Sequence, residues 1–296
     1  DGLALEISRA NVTVGDAPEH QHMTRRPWSK LNPNGWEVAD GVFDTTNHEA
    51  EVWMYRGAQD RGATMLYFWN GPPYWMTVSG CSSGSVDGTS NNLPEGQEPR
   101  FARHIVDVLA LLRETYGLRA DLVCPINEPE CDWWKAGDGG GQEGCHTSAE
   151  QAVVIFRELR RELDRRGLKT TGIVGPEAAY GNGSGYGKDI LKHPEACAAL
   201  VAVSVHQYIT SPWGYWGWRD VARDAGLPLW QSEWGNWRLP GDADPVRRQH
   251  HAMSYGRQIH DALTRYNAAA WCMWEPGNLF DFAEGGFSPR PAFYVT

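Results

Sequence analysis

Four glutamates close apolar runs along the chain: Glu128 in Pro125-Ile126-Asn127-Glu128-Pro129, Glu177 in Gly175-Pro176-Glu177, Glu233 in Gln231-Ser232-Glu233-Trp234-Gly235, and Glu275 in Trp274-Glu275-Pro276. One such carboxylate alone is more often a salt-bridge partner or helix cap than a reagent. Four of them in a chain with 15 tryptophans point elsewhere. Glycoside hydrolysis needs a carboxyl pair: one holds a proton for the leaving oxygen, and the other, ionised, attacks the anomeric carbon or activates water. Indoles can stack on the apolar faces of sugar rings while polar neighbours bond the hydroxyls. Asn-Glu-Pro is the sharpest signal, because proline ends the strand and the asparagine can reach a sugar 2-hydroxyl.

The elements that must carry these residues follow from periodicity. Leu3–Val12, Thr64–Phe68, Asp121–Ile126, Gly172–Val174, Leu200–Val205, Pro228–Gln231 and Ala268–Met273 read as strands buried on both faces. Helices fit between them. Phe101–Tyr116 sets Ile105, Val108, Leu109 and Leu112 on one face; Ser148–Arg166 opens with Ser148 and Gln151 at capping-box spacing and closes at Gly167; Pro245–Tyr266 starts with proline in its first turn. Shorter helices are expected over Glu49–Arg61, Lys188–Ala198 and Gly217–Ala225. Seven strands with crossovers predict an α/β fold: a (β/α)8 TIM barrel without its first β/α unit, one domain over residues 1–296. An open doubly wound sheet would want a Gly-x-Gly-x-x-Gly turn after the first strand, and a long loop from Gly15 stands there instead. Segments after strands are long and aromatic, whereas those after helices are brief, such as Gly117-Leu118-Arg119-Ala120. A barrel site is therefore expected at the C-terminal strand ends.

Composition excludes other classes. The net charge of −10 disfavours a nucleic-acid partner, and 41% hydrophobic content excludes disorder. No apolar run is long enough to span a membrane. Six cysteines form no Cys-x-x-Cys pair; Cys131 and Cys145 could pair in an oxidising compartment, while Cys124 and Cys272 read as buried thiols. His20, His22, His250 and His251 lack a His-Glu-x-x-His context and read as solvated, so neither metal nor cofactor is expected. Gly80-Cys81-Ser82-Ser83-Gly84 fits a serine-hydrolase motif, but the following Ser85–Asn91 cannot start the helix such a nucleophile needs. Asp1–Ile7 has no features of a signal peptide.

Asn127-Glu128-Pro129 and Ser232-Glu233-Trp234-Gly235 resemble the acid/base and nucleophile motifs of clan A glycoside hydrolases, which stand after barrel strands four and seven. Gly71-Pro72-Pro73-Tyr74-Trp75-Met76, Asn91-Asn92-Leu93, Trp133-Trp134-Lys135 and Gln142-Glu143-Gly144-Cys145-His146 narrow the resemblance to glycoside hydrolase family 30, most like its endo-β-1,6-galactanases. The resemblance implies a retaining enzyme with Glu128 as general acid/base and Glu233 as nucleophile. It further implies Asn127 on the 2-hydroxyl, His206 and Tyr208 orienting the nucleophile, Arg9 keeping it ionised and Trp274 beneath the sugar. Trp69, Trp75 and Trp234 would join the substrate contacts, and Glu177 and Glu275 would be substrate contacts or structural acids. The implied substrate is β-1,6-galactan or arabinogalactan side chains, degraded by a secreted monomer. A xylanase or glucuronoxylanase would share both acids. A non-catalytic sugar-binding barrel would keep the indoles without needing the pair. Family members also begin with one more strand and helix and carry a β-sandwich, neither of which is expected here.

Overall fold

A computed structural model describes residues 5–20, 35–137, 141–181, 183–208, 212–236, 244–275, 277, 279–283 and 286–294. Leu3 and Ala4 of the expected first strand, together with His22, Trp237 and Pro276, lie outside the described residues. In chain order the elements are β1 (Ile7–Asn11), β2 (Glu37–Ala39), β3 (Val42–Phe43), α1 (Glu49–Asp60), β4 (Thr64–Phe68), α2 (Glu98–Tyr116), β5 (Leu122–Cys124), α3 (Ala149–Arg165) and β6 (Gly172–Ala178). There follow α4 (Ser184–Leu191), α5 (Pro194–Ala199), β7 (Leu200–His206), α6 (Pro212–Ala225), β8 (Leu229–Trp234), α7 (Pro245–Thr264), β9 (Ala268–Met273), β10 (Phe280–Ala283) and β11 (Gly286–Pro289).

Seven strands pair in parallel in the order β1-β4-β5-β6-β7-β8-β9, a nearly closed TIM-like barrel. Among the described residues β1 and β9 do not pair with each other. The period-2 alternation of a strand divides each one between two cores. Leu66, Phe68, Cys124, Val174 and Ala202 point inward and fill the barrel. Met65, Tyr67, Val123 and Ile173 point outward, against Phe101, Ile105, Leu109, Phe156 and Leu159 of α2 and α3. Gly175 permits that layer to close: a Cβ there would stand 2.6 Å from the Phe156 ring. Truncating a phenylalanine packed this way costs ~3–5 kcal/mol.

Helix ends follow the expected chemistry. The Ser148 hydroxyl accepts the Gln151 amide at 3.3 Å to start α3, and Gly117 ends α2 in the left-handed region at φ 68°. Asp244 caps α7 ahead of Pro245, accepting from the Val246 amide at 2.9 Å. The structure departs from the sequence reading at several points, each for an identifiable reason. The helix expected over Lys188–Ala198 is two helices, because Pro194 cannot continue α4 and starts α5 instead. Hairpins β2–β3 and β10–β11 are too short to leave a sequence pattern. His251 is buried, not solvated: it bonds the Asn236 carbonyl at 2.7 Å and packs 5.2 Å from Tyr255. Cys131 and Cys145 are both buried and carry no disulfide.

Candidate active site

At the C-terminal ends of the strands the backbone ladder runs on beyond the sheet. The Glu128 amide donates to the Glu177 carbonyl at 2.9 Å, Gln207 to Glu233 at 3.0 Å and Trp274 to Trp234 at 2.8 Å. These bonds pin the candidate site residues to neighbouring strands. Among the described residues, four non-glycines adopt positive φ, and three are the strand-end glutamates: Glu128 at 51°, Glu177 at 57° and Glu275 at 67°. A left-handed non-glycine backbone costs ~1–3 kcal/mol and persists where its surroundings enforce it. At Glu128 the enforcement includes Trp134, whose indole N–H donates to the Glu128 carbonyl at 2.8 Å.

Arg9 comes from β1 with its guanidinium 3.7 Å over the Phe68 ring. Its Nη1 donates to Glu233 Oε2 at 2.6 Å, and its Nη2 donates to Asn127 Oδ1 at 2.7 Å and Glu177 Oε2 at 2.9 Å. His206, fully buried at the end of β7, bridges Glu128 Oε1 through Nδ1 and Glu177 Oε2 through Nε2, each at 2.9 Å. The Tyr208 hydroxyl donates to Glu233 Oε1 at 2.8 Å. A carboxylate oxygen of Glu128 lies within 4.8 Å of one of Glu233.

The charges within this cluster set one another. Burial alone would raise the Glu177 carboxyl, but the Arg9 charge and the His206 hydrogen bond outweigh it and hold the group at about 2. Burial disfavours a charged His206, yet Glu233 and the bonds to Glu128 and Glu177 push it up to about 10. These neighbours favour the protonated ring, which donates from both nitrogens. Burial and the Glu233 charge both raise the Tyr208 phenol, so it remains a donor.

The centre thus gathers Arg9, Asn127, Glu128, His206, Tyr208 and Glu233, with Trp274 5.9 Å from the guanidinium and edge-on to Phe68 at 6.3 Å. Three expected sugar contacts stand elsewhere. Trp69 is 0% exposed in the outer core and donates its indole N–H to His104 at 3.2 Å. Trp234 follows inward-facing Glu233, so alternation turns it outward onto Tyr255 at 4.7 Å. Trp75 bonds the Glu37 carbonyl at 2.9 Å and lines a separate cavity of about 280 Å³, with Arg100 over its ring. Glu275 is exposed. Ser82 is buried in a loop, its amide bonded to Asp16 Oδ1 at 3.2 Å. His20, expected to be solvated, is half-buried, with Nδ1 3.2 Å from Asp16 Oδ1 and the ring beside Cys81. The sulfur stands 3.6 and 3.9 Å from the two ring nitrogens, on the lone-pair axis of neither. Two residues have a part in the geometry that the sequence did not assign: Glu177, read there only as a strand-end acid, joins Arg9 and His206, and Trp134, read only as part of the Trp133-Trp134-Lys135 motif, holds the loop of Glu128.

Residues 1–210 match the model of O-glycosyl hydrolase family 30. An exo-β-1,6-galactobiohydrolase of Bifidobacterium longum subsp. longum is 24% identical, covering 93% of this chain and 22% of its own length. The chain thus spans about a fifth of that relative. A conserved exported protein from Bacteroides fragilis superposes with TM-score 0.73 at 22% identity, over 97% of this chain and 67% of its own. The endo-β-1,6-glucanase BT3312 gives 0.69 at 12% identity, over 97% of this chain and 64% of its own. A family 30 subfamily 8 xylanase from Clostridium acetobutylicum gives 0.64 at 17% identity, over 85% of this chain and 58% of its own. These structural likenesses speak for the barrel. The family match covers well over half of the sequence, and the chain belongs to O-glycosyl hydrolase family 30.

Proposed function

We propose that the chain is a retaining β-glycosidase that cleaves β-1,6-linked galactan or arabinogalactan side chains, with Glu233 as nucleophile and Glu128 as general acid/base. The observation that carries this reading is the pair itself: carboxylate oxygens within 4.8 Å of each other, each in a different hydrogen-bond setting. Retaining enzymes hold their carboxyl groups ~5–5.5 Å apart, whereas inverting ones leave ~6.5–9.5 Å for a water. Glu233 accepts from Arg9 and Tyr208, one on each oxygen. Glu128 meets the His206 ring at 2.9 Å and faces Glu233 across the site.

In the first step a Glu233 oxygen bonds the anomeric carbon as the glycosidic C–O bond breaks, and the Glu128 proton passes to the leaving oxygen. In the second, Glu128 takes a proton from water, whose oxygen bonds the anomeric carbon as the Glu233 ester bond breaks. Trp274 lies under the sugar, and the Asn127 amide N–H₂ faces its 2-hydroxyl while its carbonyl is held by Arg9. The galactan assignment rests on the Trp133-Trp134-Lys135 and Gln142-Glu143-Gly144-Cys145-His146 motifs and on the activity named for the Bifidobacterium relative. An exported enzyme suits a polymeric substrate, and among the described residues no helix is long and apolar enough to cross a membrane.

Release of reducing ends from β-1,6-galactan, compared with xylan and β-1,6-glucan, tests the substrate. Glu233→Ala should abolish turnover, with partial rescue by azide that yields an inverted glycosyl azide. Glu128→Ala should spare activated aryl glycosides far more than the polysaccharide; equal losses on both would overturn its assignment as acid.

A further inference from the structure

Three carboxylates and two cations meet at the centre, and the reaction above uses only two of the carboxylates. Glu177 is the third. It is 0% exposed, so it touches no substrate. Its Oε2 accepts from Arg9 Nη2 and His206 Nε2, each at 2.9 Å. The same two cations reach Glu233 through Arg9 Nη1 at 2.6 Å and Glu128 through His206 Nδ1 at 2.9 Å. We propose that Glu177 is a positioning residue for the glycosidase: a buried anion that draws Arg9 and His206 to one oxygen, aims one at each member of the reacting pair, and keeps the centre neutral throughout the reaction. The proposal rests on the reading of Glu128 and Glu233 as that pair.

Charge balance requires an anion there. Before attack, Arg9 and His206 are balanced by Glu177 and ionised Glu233, with the proton on Glu128. In the glycosyl-enzyme, Glu233 is an ester and Glu128 is ionised, so the sum is again zero. The negative charge has moved from the carboxylate facing Arg9 to the one facing His206. Without Glu177 both states carry an excess positive charge in a site shielded from water, and Arg9 and His206 lose the oxygen they share at 2.9 Å. Glu177 also fixes the ring state. In the glycosyl-enzyme, where Glu128 is ionised, a neutral His206 would turn a lone pair toward one of two carboxylates, so in that state only the doubly protonated ring satisfies both. The titratable and charged groups facing this hub are Arg9 on β1, Cys124 on β5, Glu128 beyond it, His206 and Tyr208 at the end of β7, Glu233 on β8 and Cys272 on β9. Glu130, pushed up to about 7 by burial, stands behind Glu128 in wild type and variants alike.

The experiment compares wild type, Glu177→Gln and Glu177→Asp on β-1,6-galactan across pH, with ¹⁵N NMR of the His206 ring as a readout independent of turnover. In the Gln variant kcat should fall by about 10²-fold with KM changed less than about threefold. The whole bell of kcat/KM should move to lower pH by roughly one unit or more, because an excess positive charge eases proton loss from every group in the centre. The ring should lose its second proton well below the pH at which wild type does. The Asp variant, which keeps the charge on a shorter arm, should restore the position of the bell and part of kcat. A Gln variant whose bell and His206 titration coincide with those of wild type, with only a loss of amplitude that tracks its melting temperature, overturns the proposal. Should the Gln variant not accumulate folded, the Asp variant decides by the same measurements: a bell displaced from that of wild type overturns charge as the operative property. If wild type releases nothing from any β-glycan, the glycosidase reading fails by itself, and an unchanged His206 titration in the variants would separately refute the hub.

Discussion

Glu177 and Glu143 are both 0% exposed, and they end in opposite states. Glu177 faces two cations and is held at about 2 despite its burial. Glu143, in the loop after β5, is met by neutral donors: the Val14 and Gly15 amides at 3.1 and 2.9 Å, and the Asn70 side chain. Burial, with nearby Glu51 adding to it, pushes Glu143 up to about 8, and those donors do not pull it back to its ordinary range. Burial without a counter-charge neutralises a carboxyl; burial between an arginine and a histidine preserves its charge. The first arrangement clamps the segment after β1 to the loop after β5. The second lets the barrel keep a fixed anion beneath Glu128 and Glu233.

Erasing the difference should produce the largest effect. Arg9→Met leaves Glu177 beside His206 alone and strips a donor from Glu233. We expect kcat to fall by ~10²–10³-fold, as for loss of one preorganised donor, and stability to fall by ~3–5 kcal/mol, as when one member of a buried pair is removed. Kinetics on β-1,6-galactan and denaturant unfolding check the two parts separately. A Met variant as stable as wild type would show that the charge on Glu177 does not depend on Arg9.

The next test uses the sign of linkage. Glu177 lies below its unfolded value of 4.5, so its contribution is present above pH 4.5 and is lost as pH falls toward about 2. Glu143 lies above the same unfolded value, so its contribution is present below pH 4.5 and is lost as pH rises toward about 8. Glu143→Gln should therefore gain on wild type between pH 4.5 and 8, by on the order of a few kcal/mol, whereas Glu177→Gln should lose ground between pH 2 and 4.5. Urea midpoints measured across pH would show two difference curves of opposite slope. His206 adds an alkaline limb to wild type, since its contribution is present below pH 6.5 and disappears as pH rises through about 10. Parallel curves for the two variants would end the comparison. The smallest effect concerns the scaffold between the two regions: Trp134→Phe removes the bond to the Glu128 carbonyl and should cost about 1 kcal/mol, with a loss of kcat that exceeds any change in KM.

Much of this was legible in the residues alone. Both-face-buried runs such as Gly172–Val174 mark strands, and the 3.6-residue spacing of Ile105, Val108, Leu109 and Leu112 marks a helix, since burial imposes those periods directly. Asn127-Glu128-Pro129 and Ser232-Glu233 carry their own local chemistry, and the structure brings both to one centre. Side-chain direction was harder to read. Trp69 and Trp234 sit at strand ends rich in aromatics, but alternation sends both outward, and composition does not record parity. Glu177 was visible as a strand-end acid, yet its partners lie 168 and 29 positions away, so the convergence of β1, β6 and β7 had to be seen before its role could be. Glu143 reads as part of a family motif, and only the fold reveals it as a clamp. Hairpins β2–β3 and β10–β11 fall below the length at which alternation can be recognised.

The left-handed backbones at Glu128, Glu177 and Glu275 have a consequence for the history of such barrels. Glycine or asparagine would sit at these three positions with less strain, so side-chain identity there is maintained against a local conformational preference. A lineage released from the need to turn over glycans would be expected to drift toward those residues at 128 and 275, growing more heat-tolerant as it fell silent. Position 177 should resist longest, because Arg9 and His206 would otherwise be left facing each other in the dark of the barrel.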